Sequence, residues 1–178
     1  MKTRSKLIVA AGALTLAGLM PSVQVRAGGD RVAFPENYAK GVRYLTLEKP
    51  DSRDVREYYT SPAAAEAAKK GTPLPDGTVI TVVIYAAQLD AQGGLTKDPS
   101  GHLIRTDKIL GYAAMEKRAG WGEAYPEVVR NGDWEYQAFL PDRKVNANAN
   151  LTSCFNCHRP QASQDFVFTH DSLKAAAP

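Results

Sequence analysis

One run of β-branched residues constrains the fold of this chain more than any other feature of its sequence. The segment "TVITVVIYAA" (78–87) is almost continuously apolar and is rich in valine and isoleucine. β-branched residues favour strands, and a run with so little alternation indicates burial on both faces of a sheet. The pattern therefore predicts a central, well-buried strand around which the rest of the chain must arrange itself.

Further segments supply the neighbours of this strand and one clear helix. Strand-like patterns occur at 41–47, 53–60, 109–118 and 134–140, which brings the predicted total to about five strands. A helix is predicted after Ser61, a suitable N-cap, with Pro62 at its first position and Gly71 at its end. Residues 88–103 contain paired glycines and the segment "DPSG", which predict a flexible loop between strands.

The N-terminal 27 residues have the pattern of a secretory signal peptide. A basic start is followed by an apolar stretch of only 13 residues, Leu7–Leu19, and Val25 and Ala27 occupy the positions that a signal peptidase reads. The apolar stretch is too short for a mature membrane anchor, although an uncleaved anchor is the alternative. We therefore expect a signal peptide at 1–27, a single domain at 28–178, a periplasmic location and no membrane attachment after cleavage.

The charge of the mature chain argues against a nucleic-acid partner. Of the 22 basic side chains, four lie in residues 1–27, which contain no acidic side chain. The chain that remains after cleavage would therefore have 18 basic and 19 acidic residues, a net charge of −1 with histidine neutral. No run of lysine and arginine and no basic patch with interleaved aromatic residues occurs in the sequence. The basic character of the whole chain thus belongs to its leader.

Both cysteines of the chain lie in one short segment near the C-terminus, "SCFNCHRP" (153–160). Paired cysteines of exported proteins are usually oxidised to disulfides, so a disulfide between Cys154 and Cys157 is one interpretation. Thioredoxin-like redox motifs, however, follow the first strand of a βαβ unit. A zinc site is a second interpretation, but only His102 and His170 remain to complete its ligands, and neither has zinc-finger spacing.

The third interpretation is the c-type haem attachment motif, Cys-x-x-Cys-His. Two thiols must reach the two vinyl groups on one edge of the porphyrin, and the adjacent imidazole must reach the iron from one face. A short helical turn that starts near Asn150 or Thr152 and ends at Pro160 meets both requirements. The motif and its exported context favour one haem c per chain, with a disulfide or a metal site as the alternatives.

At this point the chain resembles the cytochrome P-460 superfamily, which includes the cytochromes c′-β. The similar segments follow the family's order along the mature chain: "FPENY" (34–38), "VREYY" (55–59), "KKGTPLPDGTV" (69–79), "GYAAMEK" (111–117), "GDWEYQAFLPD" (132–142) and "CFNCHRPQASQDFVFT" (154–169). The resemblance implies an α+β fold, mainly an antiparallel five-stranded β-sheet with a few short helices, one haem c on the sheet, and often a homodimer. It also implies binding of nitric oxide or oxidation of hydroxylamine.

A departure from the family's pattern separates these two activities. The catalytic members carry a lysine bonded to the porphyrin, and the resemblance places that lysine at the position of Val82. Lys69 and Lys70 lie just upstream, where solvated cations at the end of a helix are the simpler interpretation. The resemblance therefore favours the c′-β side of the family, without the cross-link.

The resemblance also suggests residues around the haem. Arg56 matches an arginine near the haem, where it would bond the propionates, or it is an exposed strand residue. Glu116 matches a distal carboxylate that handles protons in catalytic members, or it is an exposed glutamate. Met115 is the one methionine left after cleavage, and it either packs in the core or serves as a sixth iron ligand. Because neighbouring strand residues alternate, only one of Met115 and Glu116 is expected to face the haem.

The predicted function is a periplasmic mono-haem c-type cytochrome that binds nitric oxide or a similar small ligand, or transfers electrons to a redox partner protein. An enzyme that oxidises hydroxylamine or nitric oxide is the alternative within the same family. A secreted, disulfide-bonded binding domain without haem is the alternative from a different class.

Overall fold

The structure, a computed structural model, describes residues 31–176. The predicted signal peptide at 1–27 lies outside the described residues. None of the helices found between residues 31 and 176 has the length and apolar character that crossing a bilayer requires.

Five strands form one antiparallel sheet within the described part of the chain. They are β1 (Val42–Lys49), β2 (Asp54–Thr60), β3 (Val79–Ala87), β4 (Arg105–Lys117) and β5 (Trp134–Phe139). Each strand pairs with the next one along the chain, so the spatial order is β1-β2-β3-β4-β5 and β3 is central. The β-branched run forms this central strand, in which the side chain of Val83 is fully buried. The predicted α+β fold with a five-stranded antiparallel sheet is confirmed.

Three α-helices accompany the sheet in residues 31–176. They are α1 (Pro62–Lys69), α2 (Leu151–His158) and α3 (His170–Ala175), with short 3₁₀ turns at Tyr38–Lys40, Pro50–Ser52, Trp121–Ala124, Glu127–Val129 and Arg159–Gln164. The Ser61 side chain accepts a hydrogen bond from the backbone N–H of Ala64 at 3.2 Å, as an N-cap does. Gly71, with a φ of +67°, follows the helix, so both predicted ends of α1 are confirmed.

Strand β4 begins four residues before the predicted start at 109. The Arg105 guanidinium lies 4.1 Å from the centre of the Tyr85 ring, and the Thr106 hydroxyl donates to the Ala86 carbonyl at 2.7 Å. These contacts extend the pairing with β3 over a polar stretch that has no apolar alternation. The loop before it, predicted to be flexible, contains turns in which the Asp90 and Asp98 carboxylates accept backbone N–H groups.

The two faces of the sheet are covered by different parts of the chain. One face packs against the segment that precedes β1, through a cluster of Val32, Val83, Tyr112, Ala114 and Phe139. The other face packs against the helices, through a larger cluster that includes Ile80, Met115, Trp134, Tyr136, Phe155 and Leu173. Helix α2, which carries the Cys-x-x-Cys-His motif, therefore lies on this second face.

Candidate haem site

A cleft of about 380 Å³ lies between the second face of the sheet and helix α2. Its sheet wall is built from alternate residues of neighbouring strands: Ile80, Val82 and Ile84 of β3, Ala113 of β4 and Ala138 of β5. Val82 lies opposite Ala113, and Ala113 lies opposite Ala138, so these side chains share one face of the sheet. The result is a broad apolar wall.

Helix α2 brings the three residues of the motif to this cleft. The Asn150 side chain accepts from the Ser153 N–H at 3.3 Å and starts the helix, as predicted. Cys154, Cys157 and His158 all line the cleft, because residues separated by three and four positions share one side of a helix. Helix α2 ends at His158, two residues before Pro160, as predicted; Pro160 lies in the first turn of the 3₁₀ segment Arg159–Gln164, where its missing N–H is tolerated.

The imidazole of His158 is held on three sides. Its Nδ1 lies 2.7 Å from the Phe166 carbonyl oxygen, and its ring packs against Tyr136 at 4.8 Å and Phe168 at 5.0 Å. A carbonyl only accepts, so Nδ1 carries the proton and Nε2 keeps the lone pair. Burial lowers the pKa of His158, although the bond to Phe166 opposes this. The neutral ring thus offers Nε2 as a ligand, and the Phe166 carbonyl sets the orientation of the ring.

The residues present fit covalent haem attachment. Cys154 is half-buried and Cys157 is exposed, and both are free thiols. Burial raises the pKa of the Cys154 thiol, with a smaller contribution from Cys157. Two thiols and an imidazole with a free Nε2 stand at the rim of an apolar cleft, which is the donor set that haem c uses. Elsewhere in the described chain, His102 bonds Glu48 at 2.8 Å and His170 begins α3, and neither lines the cleft.

Arg56 is the one permanently charged side chain among the described residues that line the cleft. Its Nε and Nη2 donate to the two oxygens of the buried Asp54 carboxylate at 2.8 and 3.1 Å. This hydrogen-bonded pairing raises the pKa of Arg56. Arg56 lies on β2, three strand spacings or about 14 Å from β5, against which α2 packs. The Arg56 cation thus lies on the same face of the sheet as the thiols but at the other side of the cleft. Its contact with a haem propionate remains a prediction.

Strand parity separates Met115 from Glu116. Met115 lies opposite Ile80 and Tyr136, lines the cleft and is buried. Glu116 is not among the residues that line the cleft; its carboxylate accepts from Arg118 at 2.6 Å. The side chains of Met115 and Glu116 therefore lie on opposite faces of the sheet, and it is the Met115 thioether that lies on the cleft side. A carboxylate that handles protons at the haem would have to line the cleft, and the Glu116 carboxylate does not.

Asn131 supports the site but carried no signal in the sequence. Its side chain is buried, and its Nδ2 donates to the Tyr136 hydroxyl at 3.0 Å and to the Phe155 carbonyl at 2.9 Å. These bonds link strand β5 to helix α2. A single asparagine in a loop, 24 residues before the Phe155 carbonyl that it bonds, cannot be distinguished from an ordinary turn residue by its pattern.

A second cavity of about 420 Å³ opens elsewhere, lined by residues that include Tyr38, Tyr59 and Thr81. No cysteine, histidine or methionine is found among the described residues of its lining. The motif residues therefore select the cleft beside α2 as the candidate haem site.

Comparison with known families agrees with this geometry. The model of the family described as Cytochrome P460 matches residues 35–169. The matched range contains all five strands described above, helix α2 and the Cys-x-x-Cys-His motif, and it implies a haem cofactor. No curated protein matches the chain. Because the family model covers well over half of the 178 residues, the chain belongs to the cytochrome P460 family.

Proposed function

We propose that this protein is a periplasmic mono-haem c cytochrome that binds nitric oxide or a similar small ligand, or transfers electrons. The observation that carries the proposal is the meeting of Cys154, Cys157 and His158 at the rim of one apolar cleft. Residues 1–27 would direct its export, and a homodimer and a redox partner protein remain predictions. Bound haem would supply an iron centre that takes up a small ligand or exchanges one electron.

The chain's own residues would prepare this site before any ligand arrives. Cys154 and Cys157 would hold the cofactor by thioether bonds, and His158 Nε2 would ligate its iron. The Phe166 carbonyl fixes the protonated nitrogen of that ring at 2.7 Å. The aliphatic wall around Val82 and Ala113 offers no polar partner to a ligand, which favours small uncharged ligands over ions.

The lysines of the described chain stand apart from the cleft lining, which favours ligand binding over hydroxylamine oxidation. Val82, where the resemblance places the cross-linking lysine, faces the cleft as a valine. Lys69 and Lys70 are exposed at the end of α1. Lys117 lies 2.7 Å from Asp165, and no lysine occurs among the described residues that line the cleft.

We therefore expect the absorption spectrum of the reduced protein to be that of an ordinary haem c, without the strongly red-shifted Soret band of a lysine-linked porphyrin. Nitric oxide should saturate the reduced protein at one ligand per haem, and hydroxylamine turnover should be absent or slow. The double variant Lys69→Met/Lys70→Met is the matched control and should leave the spectrum unchanged. A haem peptide that also contains a lysine cross-link, or rapid hydroxylamine turnover, would restore the enzyme interpretation.

The position of Met115 favours an iron with an open sixth site. On the sheet Met115 is the partner of Tyr136, and the Tyr136 ring packs against the His158 ring at 4.8 Å. Met115 thus lies beside the ring that packs on His158, and we expect it to support that ring rather than to hold a bound haem. The side chain belongs to the buried cluster with Ile80 and Trp134. Core packing is thus the role that the structure supports for this thioether.

Replacing Met115 with leucine should accordingly leave the electronic spectrum of the oxidised protein unchanged. The swap conserves volume, so the expected loss of stability is below about 1.5 kcal/mol. The oxidised wild-type protein should be high-spin and should lack the weak near-infrared band of methionine-ligated haem. A band of this kind in the wild type that disappears in Met115→Leu would show ligation and would favour electron transfer over gas binding.

A further inference from the structure

Two consecutive residues next to the site adopt left-handed backbone conformations although neither is glycine. Asp165 has a φ of +52° and Phe166 a φ of +60°. Aspartate enters this region fairly often, but a bulky phenylalanine does so rarely, so the surroundings must hold it there. The second of these residues supplies the carbonyl that accepts from His158 Nδ1.

The Asp165 carboxylate accepts three hydrogen bonds that hold this turn in place. One oxygen, Oδ2, accepts from the Lys117 ammonium at 2.7 Å and from the Leu74 backbone N–H at 3.1 Å. The other, Oδ1, accepts from the indole N–H of Trp134 at 3.3 Å. These donors come from the segment before β3, the end of β4 and the start of β5. One side chain thus ties the turn to two strands of the sheet and to the segment that precedes β3.

Phe166 is held by a hydrogen bond to its backbone N–H and by a contact to its ring. Its N–H donates to the Gln161 carbonyl at 2.8 Å. Its ring lies against Gly132, where a Cβ atom would stand only 3.1 Å from the nearest ring carbon. These two contacts hold the residue whose carbonyl oxygen lies 2.7 Å from His158 Nδ1.

We propose that Asp165 is a positioning residue for the axial histidine: by holding the left-handed turn at 165–166, it aims the Phe166 carbonyl at His158 Nδ1. The inference deepens the proposed function and rests on its assignment of His158 as the iron ligand. A carbonyl that accepts from Nδ1–H makes the opposite nitrogen a stronger donor and fixes the ring's rotation. Asp165 therefore controls the strength and uniformity of the iron–histidine bond without touching the cofactor.

The test measures the iron–histidine stretching band of the reduced holoprotein by resonance Raman spectroscopy, together with the reduction potential. Asp165→Ala removes the acceptor of all three donors, so the band should move to lower frequency and broaden, and the potential should rise. Asp165→Asn keeps the shape and tolerates the left-handed region but loses the charge that binds Lys117, so a smaller shift in the same directions is expected. Lys117→Met removes one donor and should behave like Asp165→Asn.

A matched control removes an equally buried hydrogen bond elsewhere in the same cluster. Tyr44→Phe deletes the bond between the Tyr44 and Thr169 hydroxyls, 2.7 Å long, and leaves the turn at 165–166 intact. Its band and potential should match the wild type even if its melting temperature falls. If Asp165→Ala does not fold, the same measurements on Asp165→Asn and Lys117→Met test the inference.

The outcomes separate this inference from the proposed function. If the wild-type protein carries haem and shows the iron–histidine band, but the folded Asp165 and Lys117 variants leave band and potential unchanged, Asp165 does not position the histidine. If the wild-type protein carries no haem, or if His158→Gly keeps the wild-type band, the assignment of His158 has failed instead. Shifts in the Asp165 and Lys117 variants that Tyr44→Phe does not share support the inference.

Discussion

Replacing His158 with glycine should abolish the wild-type spectrum of the reduced protein, and free imidazole should restore it. The ring fills a space between Tyr136 and Phe168 and bonds the Phe166 carbonyl, so its removal leaves a ring-shaped cavity with an acceptor in place. Such cavities take up small ligands of matching shape. The iron–histidine band should disappear completely in the variant and return as imidazole is titrated.

The matched control for this experiment is His102→Gln. His102 is 70 % exposed and pairs with Glu48 at 2.8 Å, away from the cleft. Its replacement should change neither the spectrum nor the response to imidazole. A His158→Gly protein with an unaltered axial-ligand band would mean that another residue ligates the iron.

The double variant Cys154→Ala/Cys157→Ala should lose all covalently bound haem. Thioether bonds survive denaturation, and these are the two cysteines of the chain. Acid–acetone should therefore extract every haem from the double variant, whereas each single variant should keep one thioether. Loss of the bound cofactor should also lower the apparent stability, because a ligand held by the native state stabilises it.

Ser153→Ala is the appropriate control for the cysteine variants. Ser153 precedes Cys154 on the same helix, and its hydroxyl donates to the Asn150 carbonyl at 2.6 Å. Its replacement perturbs the first turn of α2 without removing a thiol, so haem attachment should be complete. Haem that resists extraction from the double cysteine variant would show that another side chain forms the bond.

Much of the fold could be predicted because its signals are local. The β-branched run at 78–87 marked the central strand, and Ser61 and Pro62 marked the start of α1. The polar start of β4 at Arg105 was missed, since pairing there depends on a ring and a carbonyl of the neighbouring strand. Tertiary contacts of this kind leave no periodic pattern.

The same distinction applies to the candidate site. Cys154, Cys157 and His158 form a contiguous motif, so their chemistry was evident from spacing. Alternation alone could not decide whether Met115 or Glu116 faces the cleft, because a shift of one residue exchanges the two faces of a strand. Asp165 and Asn131 act through partners from five to 91 residues away, which only the folded chain brings together.

The central claim is that one haem is bonded to Cys154 and Cys157 in the mature protein. The most direct test is the intact mass of the purified wild-type chain under denaturing conditions, before and after acid–acetone extraction. We predict the mass of residues 28–178 plus one haem, unchanged by extraction, with a haem-bearing peptide that contains both cysteines. A mature chain at its apoprotein mass with a disulfide between Cys154 and Cys157 would contradict the claim.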